Sequence, residues 1–198
     1  MPHQKKRYLQ LERLYRYFAE FGFKQVDNIS YLTKAIGISR SLFYFYFADT
    51  DDLLKQLSDY HNEKISEQRS IVVSHSFNHT QYLQGLVTHK DLYFFTIQCR
   101  RHRHEHPHID LMYQYVIETI DQVNFRLFVE HYNLESFSES AIKTLYDAFR
   151  GFWYDNSDYE TWNQERVLEL SQQIQEMMLL LRSRHEASGE KADAEQSV

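Results

Sequence analysis

The sequence contains few of the residues that interrupt or cross-link secondary structure. Its 198 residues include one cysteine, two prolines and five glycines. A single cysteine excludes an intrachain disulfide framework and a cysteine-based zinc site. Because turn-forming residues are scarce, most of the chain is expected in long segments, and these segments show a helical periodicity of apolar residues. The sequence therefore predicts an all-α fold.

Long apolar runs are also missing. No segment approaches the roughly 20 apolar residues that a membrane-spanning helix needs, and the N-terminus (MPHQKKRYLQ) lacks the apolar core of a signal peptide. The chain shows no phosphate-binding glycine loop, no Ser/His/Asp spacing and no paired carboxylates of the kind that indicate an enzyme. We expect a cytoplasmic protein that is not an enzyme, has no membrane partner and uses no cofactor.

Charge is distributed unevenly along the chain, whose formal net charge is −6. Residues 1–48 contain eight Lys/Arg against three Asp/Glu, a net of +5. Residues 49–198 contain fourteen against twenty-five, a net of −11. A basic end attracts phosphate while an acidic remainder repels it, so this asymmetry favours nucleic-acid contact at the N-terminal end.

Residues 22–54 have the pattern of a helix-turn-helix. Apolar residues at helical spacing predict one helix over residues 5–21 and a short second helix over residues 29–36. Gly37 supplies the backbone freedom that the turn between the second and third helices needs. Ser39 is the expected N-cap of the third helix, and Asp49 is the expected N-cap of the helix that follows.

An aromatic run at the end of the third helix indicates an exposed face. Burying Phe43 and Phe47, four residues apart, leaves Tyr44 outward. In a helix-turn-helix the second helix can enter the major groove, where Arg40 could read guanine or hold a phosphate. The DNA-contacting residues that we predict are Ser39, Arg40, Ser41, Tyr44, Phe45, Lys34 and Thr50. A plain helical hairpin with solvated polar residues is the competing interpretation.

This N-terminal quarter of the chain resembles the TetR family of bacterial transcriptional regulators. The matching motifs are GF at 22–23, GIS at 37–39, and LFYFYF at 42–47 followed by an acidic helix start. The resemblance implies a three-helix DNA-binding module on a larger helical ligand-binding domain, which dimerises through its last two helices. It also implies that Ser39, Arg40 and Tyr44 contact DNA.

The remainder of the chain, from residue 49 onward, is predicted to form a larger helical domain, called the body below. A helix starting at Asp49 is expected to reach about residue 68, with a loop at 70–78. Further helices are expected at 79–88, 89–104 and 109–131, followed by two long C-terminal helices. The predicted domains are residues 1–48 for DNA binding, 49–183 for effector binding and dimerisation, and a disordered polar tail at 184–198.

The two C-terminal helices carry wide apolar faces. These faces either complete the chain's own core or pair with a second subunit in a four-helix bundle. Dimerisation suits DNA recognition, because two recognition helices one DNA turn apart, roughly 34 Å, read a palindrome together. We predict a homodimer whose interface includes Ile142, Leu145, Phe149, Leu170, Ile174, Met177 and Leu181.

Aromatic residues make up 16% of the chain and are frequent in the body. This density favours a cavity for a small apolar or aromatic effector, although core packing is the commoner role of any single ring. The candidate pocket residues are Tyr93, Phe94, Tyr113, Phe125, Tyr146 and Phe149.

A histidine-rich run occupies residues 102–108. His102/His106 and His104/His108 have the i,i+4 spacing that chelates a metal on one helix. Pro107 is expected to end the helix there, and the neighbouring arginines disfavour a dication, so no metal site is predicted. The leading hypothesis is a ligand-responsive regulator, a repressor that binds palindromic double-stranded DNA as a dimer. The alternatives are a dimeric interaction protein without DNA binding and, less favoured, a metal-binding protein using this run.

Overall fold

The computed structural model describes residues 2–74 and 79–195, with side chains described for residues 6–70 and 80–183. Within those ranges the chain is helical and forms no strand. This confirms the predicted all-α class. The helices are α1 (Pro2–Phe21), α2 (Ile29–Ala35), α3 (Arg40–Tyr46), α4 (Thr50–Ser74), α5 (His79–Thr88), α6 (Lys90–His102), α7 (Pro107–Val116), α8 (Gln122–Tyr132), α9 (Glu139–Asn156) and α10 (Gln164–Glu195).

Local capping explains where the N-terminal helices begin. The Ser39 side chain accepts a hydrogen bond of 3.1 Å from the Leu42 amide, so Ser39 caps α3 as predicted. The Asp49 carboxylate accepts a hydrogen bond of 2.8 Å from the Asp52 amide, and the Asp52 carboxylate accepts one of 2.9 Å from the Ala48 amide. This reciprocal arrangement satisfies donors that the first turn of α4 leaves without helical partners.

Two predicted boundaries in the body were wrong. The predicted loop at 70–78 is helical through Ser74, while 75–78 lie outside the described residues. No glycine or proline interrupts this stretch, and the Ser70 hydroxyl donates 2.7 Å to the Glu67 carbonyl inside the helix. The predicted helix at 109–131 begins instead at Pro107, which is tolerated at the first helical position because its missing N–H has no helical partner there. A π-helical segment, Ile117–Asp121, joins α7 to α8.

The first compact unit comprises residues 1–125. In it α1 packs against α6, and α4 packs against α7. The rings of Tyr15 and Phe95 are stacked with centroids 4.0 Å apart, and those of Phe18 and Phe23 with centroids 4.9 Å apart. Residue 48, the predicted domain boundary, lies within this unit.

The second compact unit comprises residues 126–198 and contains α9 and α10. Phe128 lies 4.9 Å from Phe149, ring centroid to ring centroid, and Trp153 lies 6.1 Å from Trp162. The backbone of α10 is helical through Glu195, whereas the side chains after residue 183 are not described. Of the predicted tail at 184–198, residues 196–198 lie outside the described residues, and only the backbone of 184–195 is described. In the part of the chain that the structure describes, no helix combines the length and apolar character needed to cross a bilayer.

Candidate nucleic-acid interface

Helix α3 buries one side and exposes the other. Phe43 and Phe47 are completely buried, and Tyr46 is nearly so. Tyr44 and Phe45 lie outward, with 49% and 60% of their surfaces exposed. The structure confirms the inward placement predicted for Phe43 and Phe47, and it assigns Phe45 to the outer face.

The turn before α3 fixes the orientation of that face. Gly37 has a φ of 72°, in the left-handed region that favours glycine. The Ile38 amide then donates 2.9 Å to the Thr33 carbonyl of α2. These contacts hold the turn between α2 and α3, and Ser41, Tyr44 and Phe45 of α3 lie toward solvent.

A polar cleft of about 550 Å³ opens beside α3. Its walls come from the segment between α1 and α2, the first residues of α2, and one side of α3. The lining residues are Lys24, Gln25, Asp27, Asn28, Ile29, Ser30, Arg40 and Tyr44. Two cations and one carboxylate line the cleft, together with amide, hydroxyl and phenol groups that can donate hydrogen bonds. This chemistry suits an oxyanion such as a backbone phosphate.

The other predicted contact residues lie around this face at different depths. Lys34 is exposed in the last turn of α2. The Ser39 oxygen serves the α3 cap, and its hydroxyl hydrogen can still donate outward. Thr50 is half-buried in the first turn of α4. Ser41 is exposed on the outer face of α3.

The sequence did not indicate the cleft residues that come from α2 and from the segment between α1 and α2. Lys24 and Ser30 lie outside the predicted recognition helix and join Arg40 only through the packing of α2 against α3. Asn28 could have been predicted as the N-cap of α2, because it immediately precedes the first apolar residue of that helix. Its side-chain oxygen caps that helix by accepting a hydrogen bond of 3.1 Å from the Tyr31 amide.

The histidine-rich run lies where α6 meets α7, not along one helix. α6 ends at His102, so the i,i+4 geometry required for chelation is lost. His102 Nδ1 lies 2.9 Å from Glu105, and His106 Nε2 lies 2.9 Å from Asp51 at the start of α4. Among the described residues, no group of three or more His, Cys, Asp or Glu is placed to hold a metal ion. The run instead connects the α6–α7 corner to α4.

The predicted effector residues fall in two separate places, each described within its own unit. In the first unit Phe94 and Tyr113 are buried, with Tyr93 in edge contact with Phe94 at 5.3 Å between centroids. In the second unit Tyr146 is buried and stacked on Phe149, with centroids 6.1 Å apart. The remaining residue, Phe125, is partly exposed at the end of the first unit.

The predicted dimer residues divide by exposure. Ile142, Leu170 and Ile174 are buried within the single chain. Leu145, Phe149, Met177 and Leu181 retain intermediate exposure. The most exposed apolar residues of α10 were missed by the sequence prediction: Leu168, Leu179 and Leu180, at 51%, 58% and 64%.

Comparison with known proteins gives no match: no family model, no curated protein and no solved structure is similar to this chain.

Proposed function

We propose that this protein is a ligand-responsive transcriptional regulator of the TetR type, a cytoplasmic repressor that binds a palindromic operator as a homodimer. The observation that carries the proposal is the outward face of α3 beside the polar cleft. Arg40 and Tyr44 belong to both, so one helix offers groups for base edges and for the adjoining phosphates.

The charge distribution supports this assignment. Residues 1–48 carry a net charge of +5 within a chain of −6, so attraction to DNA is confined to the end that holds α3. The acidic residues that follow α3 are used in the helix start itself. Asp49 and Asp52 accept backbone hydrogen bonds, and Asp51 faces His106. These carboxylates therefore have structural roles at the start of α4, which explain their presence next to a proposed DNA-binding surface.

The proposed response to an effector depends on α4, which begins directly after the helix-turn-helix. A small apolar or aromatic ligand in the body would shift α4 and alter the spacing of the two recognition helices. Such a ligand acts only through different affinities for the two states, and a swing from 99:1 to 1:99 needs about a 10⁴-fold preference.

Operator selection from random duplexes with the full chain, followed by titration of the selected site, tests the proposal. We expect a palindromic site and a log affinity that falls steeply and linearly with log salt, because bound phosphates release counterions. Arg40→Ala should weaken binding by roughly 10-fold or more, the effect of about 1.5–3 kcal/mol for a lost hydrogen bond to a charged group.

Arg126→Ala is the matched control. Arg126 is an exposed arginine of the second unit, 3.6 Å from Glu130, and such surface pairs contribute little to stability. Full binding by this variant and weak binding by Arg40→Ala would support the assignment of α3. Failure to enrich any site, with no salt-dependent duplex binding, would instead favour a helical interaction protein.

A further inference from the structure

Two rows of side chains share the outward face of α3. Arg40 and Tyr44, four residues apart, line the polar cleft. Ser41 and Phe45, also four residues apart, are exposed but do not line it. Because residues four apart lie above one another on a helix, the rows run side by side along the helix axis. One row lines the cleft, and the other lies next to it on the solvent side of α3.

The row formed by Ser41 and Phe45 has an unusual chemistry for a surface beside a cationic cleft. Phe45 exposes 60% of its surface, the largest exposed fraction among the aromatic side chains that the structure describes. The inward side of α3 is already occupied by Phe43, Tyr46 and Phe47. An exposed phenyl ring on the helix that also carries Arg40 suits a partner that is anionic at its edge and apolar at its centre.

Double-stranded DNA has both properties in its major groove. Phosphates border the groove, and the C5-methyl group of each thymine projects into it. An α-helix with its side chains is about 10–12 Å across, and the groove is roughly 12 Å wide. A helix that lies in the groove can therefore place one row toward a phosphate strand and the other on the bases.

We propose that Phe45 reads the C5-methyl group of a thymine in each operator half-site, while Arg40 and Tyr44 hold the adjoining phosphates. Ser41, one turn earlier on the same row, presents its hydroxyl to the neighbouring base pair. This inference rests on the proposed DNA binding and adds to it a base that the operator must contain. It makes Phe45 a specificity determinant and Arg40 a sequence-independent anchor.

Replacement of thymine by deoxyuridine tests the contact, because it removes the methyl group and keeps the base pairing. Each thymine of the selected operator is replaced in turn, symmetrically in both half-sites, and the affinities of wild type and variants are measured. For wild type, one symmetric replacement should weaken binding roughly 15-fold, since burial of a methyl-sized group contributes about fourfold at each of the two half-sites. For Phe45→Ala, the thymine and uracil duplexes should bind equally.

Two further variants separate the contact from general effects. Phe45→Leu keeps an apolar side chain and should retain a reduced preference for thymine. Arg40→Ala should weaken both duplexes by the same factor, because a phosphate contact carries no information about the methyl group.

The outcomes are distinct for the two proposals. Wild-type binding that is unaffected by every thymine replacement, or a methyl preference that persists in Phe45→Ala, would overturn the role of Phe45 while DNA binding stands. Absence of DNA binding by the wild type would overturn both. Circular dichroism of Phe45→Ala should match the wild type, since the ring is largely exposed.

Discussion

Tyr15 and His61 form a polar pair inside the aromatic core of the first unit. The Tyr15 hydroxyl and His61 Nδ1 share a hydrogen bond of 2.8 Å, and both rings contact Phe95. His61 is fully buried, and its Nε2 has no hydrogen-bond partner among the described residues. Burial lowers the pKa of His61 to about 3. The imidazole is therefore neutral at physiological pH.

This burial predicts a pH dependence of stability. In the unfolded chain His61 has the ordinary histidine pKa of about 6.5, whereas in the folded chain its pKa is about 3. Between these values the unfolded state binds the extra proton. Acidification through this interval therefore lowers the free energy of unfolding, by up to about 1.4 kcal/mol per pH unit.

His61→Asn isolates this contribution, because Asn can hydrogen-bond Tyr15 but does not titrate. Urea unfolding followed by far-ultraviolet circular dichroism at several pH values should give a flatter profile for the variant than for the wild type below pH 6.5. Identical slopes for the two proteins would show that His61 does not bind its proton differently in the two states.

At the scale of elements, the end of α1 is held close to α6. Gly22 has a φ of 75°, and a Cβ there would lie 2.8 Å from His102 Nε2 and 2.9 Å from Gln98 Oε1. Both neighbours are buried side chains of α6. Position 22 therefore combines a left-handed backbone with a close helix contact.

Two glycine substitutions should consequently have opposite effects. Gly22→Ala should lower the free energy of unfolding by about 1–3 kcal/mol, because a side chain is strained in this backbone conformation. Gly151→Ala in α9 should raise it by up to about 1 kcal/mol, since alanine is the better helix former and no described side chain lies within 4 Å of its Cβ position. Chemical denaturation of both variants measures the contrast. A neutral Gly22→Ala would mean that the end of α1 relaxes without cost.

The elements also show what sequence could predict and what it could not. The starts of α3 and α4 were predictable, because Ser39 and Asp49 cap through neighbours within three residues. The inward and outward sides of α3 followed from helical periodicity. The approach of Gly22 to α6 and the assembly of Lys24 with Arg40 were not predictable, because they depend on how separate helices pack.

At the scale of the whole molecule, the proposed homodimer connects the second unit to DNA recognition. Leu168 and Leu179 are eleven residues apart on α10, three helical turns, and therefore share one face. Both are more than half exposed, as is Leu180. A second subunit would cover this face and bring two copies of α3 to one palindrome.

Leu179→Glu should convert the proposed dimer to a monomer, because a carboxylate in an apolar interface loses hydration without gaining a partner. Analytical ultracentrifugation reports the change of mass, and operator affinity should fall at least tenfold as bivalent binding is lost. Leu111→Glu is the control, since Leu111 is 60% exposed on α7 of the first unit. A dimeric Leu179→Glu protein would place the subunit contact elsewhere.

The edge contact between Trp153 and Trp162 has a practical consequence for such experiments. These are the two tryptophans of the chain, and both belong to the second unit. Intrinsic emission excited at the red edge of the protein absorption band will thus report on that unit alone. Loosening around α1, α4 and α6 will be spectrally silent by that probe, so tryptophan emission follows the second unit separately from the first without any added label.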